Sequence, residues 1–170
     1  MDKFAHLELG KTDETVAIST ADEHRTAAVR MVQQARFNVE IVSRLLDPAV
    51  YDTADFTDVV TKLILGRRGM KIRILVFDPQ AVVQRGHRLI EVAGNLSSFI
   101  EIRKPGEEHA NFNGSLLMAD GNGYILRESA ERYEGTVNFF DRMVSKNLLE
   151  AFEEMWGRAT ADPNLRRMVL

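Results

Sequence analysis

The sequence predicts an α/β domain with a mixed, mainly parallel sheet flanked by helices. Three observations carry that expectation. Up to about residue 104, segments of strand and helix periodicity alternate, as in a chain that crosses repeatedly over a parallel sheet. Beyond residue 114 the pattern changes to three short strand-like pieces joined by tight turns, which reads as an antiparallel addition. One amphipathic helix closes the chain.

Taken in order, "MDKFAHLELGKTDE" is polar and unpatterned and is expected to be a loose lead-in over 1–14, with the domain itself over 15–170. "TVAIST" alternates briefly and runs into Thr20-Ala21-Asp22-Glu23, a helix start with acidic residues in its first turn. The helix that follows carries Ala28, Met31, Val32 and Ala35 at helical spacing. "FNVEIVSRLL" predicts a strand with Phe37, Val39 and Ile41 on one face, and Asp47-Pro48 begins the loop after it. Phe56, Val59, Val60, Leu63 and Ile64 stripe a second helix that stops at "GRRG". "KIRILVFDP" is the near-continuous apolar run of a strand covered on both faces. A third helix is expected over about Val82 to Ala93, then a strand in "SSFIEIRKPG". "SLLMAD", "GYILRE" and "YEGTVNFF" supply the three later strands, the first two joined through Asp-Gly-Asn-Gly. Leu148, Leu149, Phe152, Met155 and Trp156 share a face of the last helix.

The length, 170 residues, suits one core. Charge nearly balances, 22 − 25 = −3, so the whole molecule has no field that attracts nucleic acid, although a local basic groove is compatible with it. The absence of cysteine excludes disulfides, thiolate nucleophiles and cysteine-based zinc sites. His6, His24 and His87 are scattered without metal-ligand spacing, and surface positions are expected for them. No phosphate-cradling glycine loop or hydrolase elbow occurs, so neither metal nor cofactor is expected. The N-terminus lacks an apolar signal core and no apolar run approaches the roughly 20 residues of a membrane span; a cytoplasmic protein is the expectation.

The order of elements, with "VEIVSRLLDP", "LILGRRGMKIRILVFDP" and the Phe152/Trp156 pair of "NLLEAFEEMWGRA", resembles one half of the phospholipase D superfamily over about residues 15 to 158. That resemblance implies a motif H-x-K-x4-D-x6-G-S-x-N, in which histidine is the nucleophile and lysine and asparagine bind phosphate. Anchored on Asp120 behind "LLMA", the motif puts Asn113 at the histidine position and Ser115 at the lysine position. The Gly-Ser pair falls on Arg127-Glu128 and the asparagine on Ala130. Only Asp120 matches. An amide is a poor nucleophile and a hydroxyl carries no fixed charge. His109 stands four residues before Asn113, about 13 Å away along an extended strand, too far to replace the nucleophile.

The expectation is therefore a catalytically inactive phospholipase D-like module for binding, regulation or assembly. Since the superfamily builds its site from two halves, the resemblance also implies a homodimer or a partner domain. The ligand-facing candidates are Arg44, Asn113, Ser115 and Arg127, with Asp47 and Asp78 at the carboxyl ends of inferred strands. Arg44 with Asp47 also reads as a pair that seals a loop, and Arg127 as a surface partner of Glu128 or Glu131. The enzymatic alternative is a divergent phosphodiesterase or nuclease built on His109, Arg127 and Asp120. A third reading is phosphate or nucleic-acid binding without cleavage.

Overall fold

A computed structural model describes residues 2–162 and Leu165. Seven strands form one sheet in the order β1-β7-β6-β5-β2-β3-β4. They are β1 (Val16–Ile18), β2 (Asn38–Ser43), β3 (Lys71–Val76), β4 (Ile100–Arg103), β5 (Ser115–Ala119), β6 (Gly123–Arg127) and β7 (Gly135–Asn138). The sheet is mixed, as expected. Its parallel part is the β2-β3-β4 half, while β5, β6, β7 and β1 join antiparallel, so antiparallel pairing has the larger share.

Helices α1 (Ala21–Gln34), α2 (Pro48–Tyr51), α3 (Ala54–Gly66), α4 (Pro79–Arg85) and α5 (Arg88–Asn95) connect the early strands, and α6 (Arg142–Arg158) closes the chain. Side chains alternate across the strands. Val39, Ile41, Ile72, Ile74, Leu117 and Ile125 join the core formed with α1, α2, α3 and α5. Val42, Leu75, Leu116 and Met118 pack instead with Phe152, Met155 and Trp156 of α6. The sheet is thus covered on both faces. Burial of that kind is the main stabilising term, about 25 cal/mol per Å² of apolar surface.

Several expectations need correction. The third helix is two helices, because Gly86 adopts φ +82 and His87 starts a new one. His87 is buried, its Nδ1 accepting from the Leu89 N–H at 3.1 Å and its Nε2 donating to the Leu46 carbonyl at 2.8 Å. Phe37 lies just outside β2 and is 66% exposed, because the Asp120 carboxylate captures the backbone there. Residues 2–14 are not loose: Phe4 and Leu7 are buried in the core, and Gly10 donates to the Phe139 carbonyl.

Asp120, the residue that matches the motif spacing, has a structural task of its own. It turns the β5–β6 corner at φ +57, followed by Gly121 at φ +69. Its carboxylate accepts from the backbone N–H groups of Arg36, Phe37 and Asn38 at 2.8, 2.8 and 3.1 Å, fixing the start of β2. Charge-assisted bonds of this type contribute about 1.5–3 kcal/mol each and do not add fully. Asp120→Ala is therefore expected to cost about 2–4 kcal/mol of stability, read as a lowered urea midpoint with an unchanged slope.

Candidate functional site

The carboxyl ends of β2 and β3 meet the amino end of β5 and the carboxyl end of β6. A crevice of about 270 Å³ opens there, lined by Ser43, Arg44, Asp47, Asp78, Asn113, Ser115 and Glu131, among others. Open α/β sheets place ligands at such strand ends.

The loop after β2 is held in an unusual shape. Leu46 sits at φ +49, a left-handed conformation that costs a non-glycine residue of order 1 kcal/mol. Three bonds hold it: Ser43 Oγ accepts from the Leu46 N–H at 2.9 Å, His87 bonds its carbonyl, and Arg85 bonds the Leu45 carbonyl at 3.1 Å. The result delivers Asp47 to the crevice wall.

Arg127 is the largest fully buried side chain among the described residues, 0% exposed. It lies directly across from Ser115 in the β5–β6 register. Its Nη1 donates to Asp47 Oδ2 at 2.5 Å, Nε to the Arg132 carbonyl at 2.7 Å and Nη2 to the Ala130 carbonyl at 2.8 Å. The guanidinium also lies 4.3 Å over the Tyr133 ring. Gly135 makes the room: a Cβ there would stand 2.4 Å from the Leu126 carbonyl oxygen and 3.0 Å from Arg127 Cγ. Arg127 is thus neither a surface partner of Glu128 and Glu131 nor a free phosphate ligand. Its charge is spent inside the fold.

His24, expected at the surface, is 1% exposed beside Arg127. Arg127 Nη1 stands 3.4 Å from His24 Nδ1. Since a guanidinium only donates, Nδ1 accepts and the ring proton sits on Nε2. Burial, reinforced by the Arg127 charge, pushes the imidazole pKa down to about 3, so the ring is neutral at ordinary pH. The rings of Tyr51 and Tyr133 stand steeply across it, at 80° and 70°, with 5.9 and 6.4 Å between centroids. His24 Nε2, Tyr51 Oη and Ser115 Oγ are all buried without a hydrogen-bond partner among the described residues. Ser115 and Tyr51 lie close enough to interact, yet without a well-formed bond. Burial pushes the Tyr51 phenol up.

Arg44 does seal a loop, but not through Asp47. Its Nη1 donates to the Phe112 carbonyl at 2.6 Å and the Ala110 carbonyl at 3.2 Å, and its guanidinium lies 5.0 Å over Phe77. Asn113 is exposed at the crevice mouth, and its carbonyl accepts from the Ala130 N–H at 2.7 Å. Asp78 caps α4, accepting from the Ala81 N–H at 3.2 Å. His109 ends a single 3-10 turn, Glu107–His109, and does not line the crevice. Asp120 bonds the start of β2 while Arg127 pairs beyond its end, about 20 Å away along a six-residue strand. The trio His109, Arg127 and Asp120 therefore forms no common site, whereas Arg44, Asn113 and Ser115 do share one crevice. Sequence reasoning missed His24 and Glu131. For His24 the signal was there: it shares the stripe of Ala27, Ala28, Met31 and Val32 in α1.

Among the described residues no group of three or more His, Cys, Asp or Glu side chains is placed to hold a metal ion, and no helix is long and apolar enough to cross a membrane.

A family model described as a domain of unknown function, DUF7931, matches residues 20–168. The chain belongs to that family. No curated protein matches its sequence. Among solved structures it is similar to Nuc from Salmonella typhimurium, a phospholipase D family member, at TM-score 0.63 and 10% identity over 87% of this chain and 97% of that one. NucT from Helicobacter pylori matches at TM-score 0.61 and 15% identity, over 89% of this chain and all of that one (100%). TrmBL2, an archaeal chromatin protein described as showing a novel mode of DNA binding, matches at TM-score 0.66 and 18% identity. That match covers 88% of this chain and 53% of TrmBL2, so the chain spans about half its length. The shared property at these identities is the fold, and the fold is phospholipase D-like, as the sequence implied.

Proposed function

We propose that this DUF7931 domain is a non-catalytic phospholipase D-like module that binds a ligand in the crevice and pairs with a second copy or a partner domain. The observation that carries the reading is the fate of the motif positions. Asn113 and Ser115 stand at the crevice where the resemblance implies a nucleophile and a phosphate-binding lysine. Arg127, at the glycine position, is locked onto Asp47 and two carbonyls rather than offered to a substrate. Phosphoryl transfer needs a nucleophile and positive charge directed at one phosphorus; among the described residues this crevice offers neither an imidazole nor an uncommitted buried cation.

The test is turnover of bis-p-nitrophenyl phosphate and of duplex DNA by the full chain, sized by light scattering in the same preparation. No release above buffer is expected, from a dimer. Hydrolysis that tracks the protein through purification and disappears in His109→Ala would overturn the reading in favour of a divergent phosphodiesterase.

A further inference from the structure

The crevice has an electrostatic character opposite to that needed for a phosphate. Three carboxylates line it, Asp47, Asp78 and Glu131; Arg127 offsets Asp47 from behind the wall, which leaves Asp78 and Glu131 against one guanidinium, Arg44. Arg44 has an Nη committed to two carbonyls and a face stacked on Phe77. The other nearby cation, Arg127, sits behind the wall with its nitrogens bonded to Asp47 and to main-chain carbonyls. An entering anion therefore meets a rim with one net negative charge.

A second observation, independent of that charge, points to an occupant. Ser115 is 2% exposed, lines the crevice, and has an Oγ with no well-formed hydrogen bond among the described residues, the neighbouring Tyr51 hydroxyl included. Buried hydroxyls are nearly always bonded, because leaving one unmet is costly. A ligand donor at the crevice floor satisfies it. Asn113 at the mouth adds an amide oxygen.

The three carboxylates do not converge into a metal site. They are suited instead to a cation whose N–H groups point several ways. We propose that the crevice binds an organic cation, an ammonium or guanidinium group, with Asp78 and Glu131 at the rim and Ser115 Oγ at the floor accepting its hydrogens. A volume of about 270 Å³ accommodates one such group on a short alkyl stem. This rests on the non-catalytic reading of the same crevice and names its ligand class.

The experiment is calorimetric titration of the full chain with agmatine, with an arginine-rich peptide, with inorganic phosphate and with a short DNA duplex. The inference expects binding of agmatine that weakens with salt, and about tenfold weaker binding in Glu131→Gln combined with Asp78→Asn. The melting temperature of that variant is expected to stay close to that of the parent. Tighter binding of the peptide than of agmatine identifies a basic side chain as the source, and the reverse identifies a free amine; both support the inference. Agmatine affinity unchanged in the double variant would overturn it, as would silence of both cations at millimolar concentration. Binding of phosphate or duplex without hydrolysis would overturn the cation while leaving the non-catalytic reading standing. Hydrolysis would remove that reading itself.

Discussion

Replacing Arg127 with alanine is expected to lower the unfolding free energy by about 3–5 kcal/mol, the usual cost of removing one partner from a buried ion pair. The substitution strips bonds from the carbonyls of Ala130 and Arg132 and leaves Asp47 facing a void. Attraction within the pair is not the larger part of that loss. Taking charges out of water, Arg127 fully and Asp47 in part, is already expensive, and the damage comes from leaving one uncompensated. Hence Arg127→Met combined with Asp47→Leu is expected to recover most of the stability, because it removes both charges and fills the space. Guanidinium chloride unfolding at pH 7 of the wild type, both single variants and the double variant gives the coupling. If Arg127→Ala unfolds at the wild-type midpoint, the arginine is a free ligand group and the account of the crevice wall is wrong.

The same substitution has a signature in acid. The His24 pKa is held at about 3, below its unfolded value of 6.5, by burial first and by Arg127 second. A depressed pKa means that the unfolded chain takes up a proton which the fold refuses. The contribution of the neutral ring is therefore full above pH 6.5 and is lost progressively as pH falls toward 3. Without Arg127 the imidazole pKa rises, and the acid loss becomes shallower. A merely space-filling arginine would not produce that change of slope.

The fold was legible in the sequence because its strands carry local signals. "KIRILV" reads as a doubly covered strand, and Asp-Gly in the β5–β6 corner matches the positive φ at Asp120 and Gly121. Asn113 and Ser115, reached by counting back from Asp120, both line the crevice. What failed were inferences of side-chain environment. Arg127 has acidic neighbours in sequence, Glu128 and Glu131, yet its partner Asp47 is 80 residues away. Nothing local announces a pairing that the sheet creates. His87 was hidden for the same reason, its charged neighbour Arg88 suggesting solvent, while the acidic neighbours of His24, Asp22 and Glu23, outweighed the apolar stripe that it shares in α1. The single long helix failed at Gly86, where a left-handed residue and a histidine cap outcompete continuous helical periodicity.

Glu40→Gln is expected to stabilise the protein at pH 8 by up to about 3 kcal/mol and to change little at pH 4. Glu40 interrupts the apolar run of β2, is 1% exposed, and has an Oε1 without a hydrogen-bond partner among the described residues. Burial raises its pKa from 4.5 to about 7, with the Arg73 charge opposing the rise. A raised pKa means that the fold holds a proton which the unfolded chain gives up. The stabilising contribution is therefore complete below pH 4.5 and is lost as pH rises through 7. Glutamine mimics the protonated acid, so it removes the loss at high pH. Arg73 is not stranded by the change, since its Nη1 keeps Glu153 at 2.5 Å and its guanidinium keeps the faces of Phe152 and Trp156 at 4.9 and 5.5 Å. The figure is an upper one, because Glu40 borders a groove of about 540 Å³ through which water approaches. Urea unfolding of both proteins from pH 4 to 8 checks the sign: the two curves should meet in acid and separate between 4.5 and 7. Parallel curves over that range would mean that Glu40 is ionised throughout, its charge met by Arg73 across 3.6 Å.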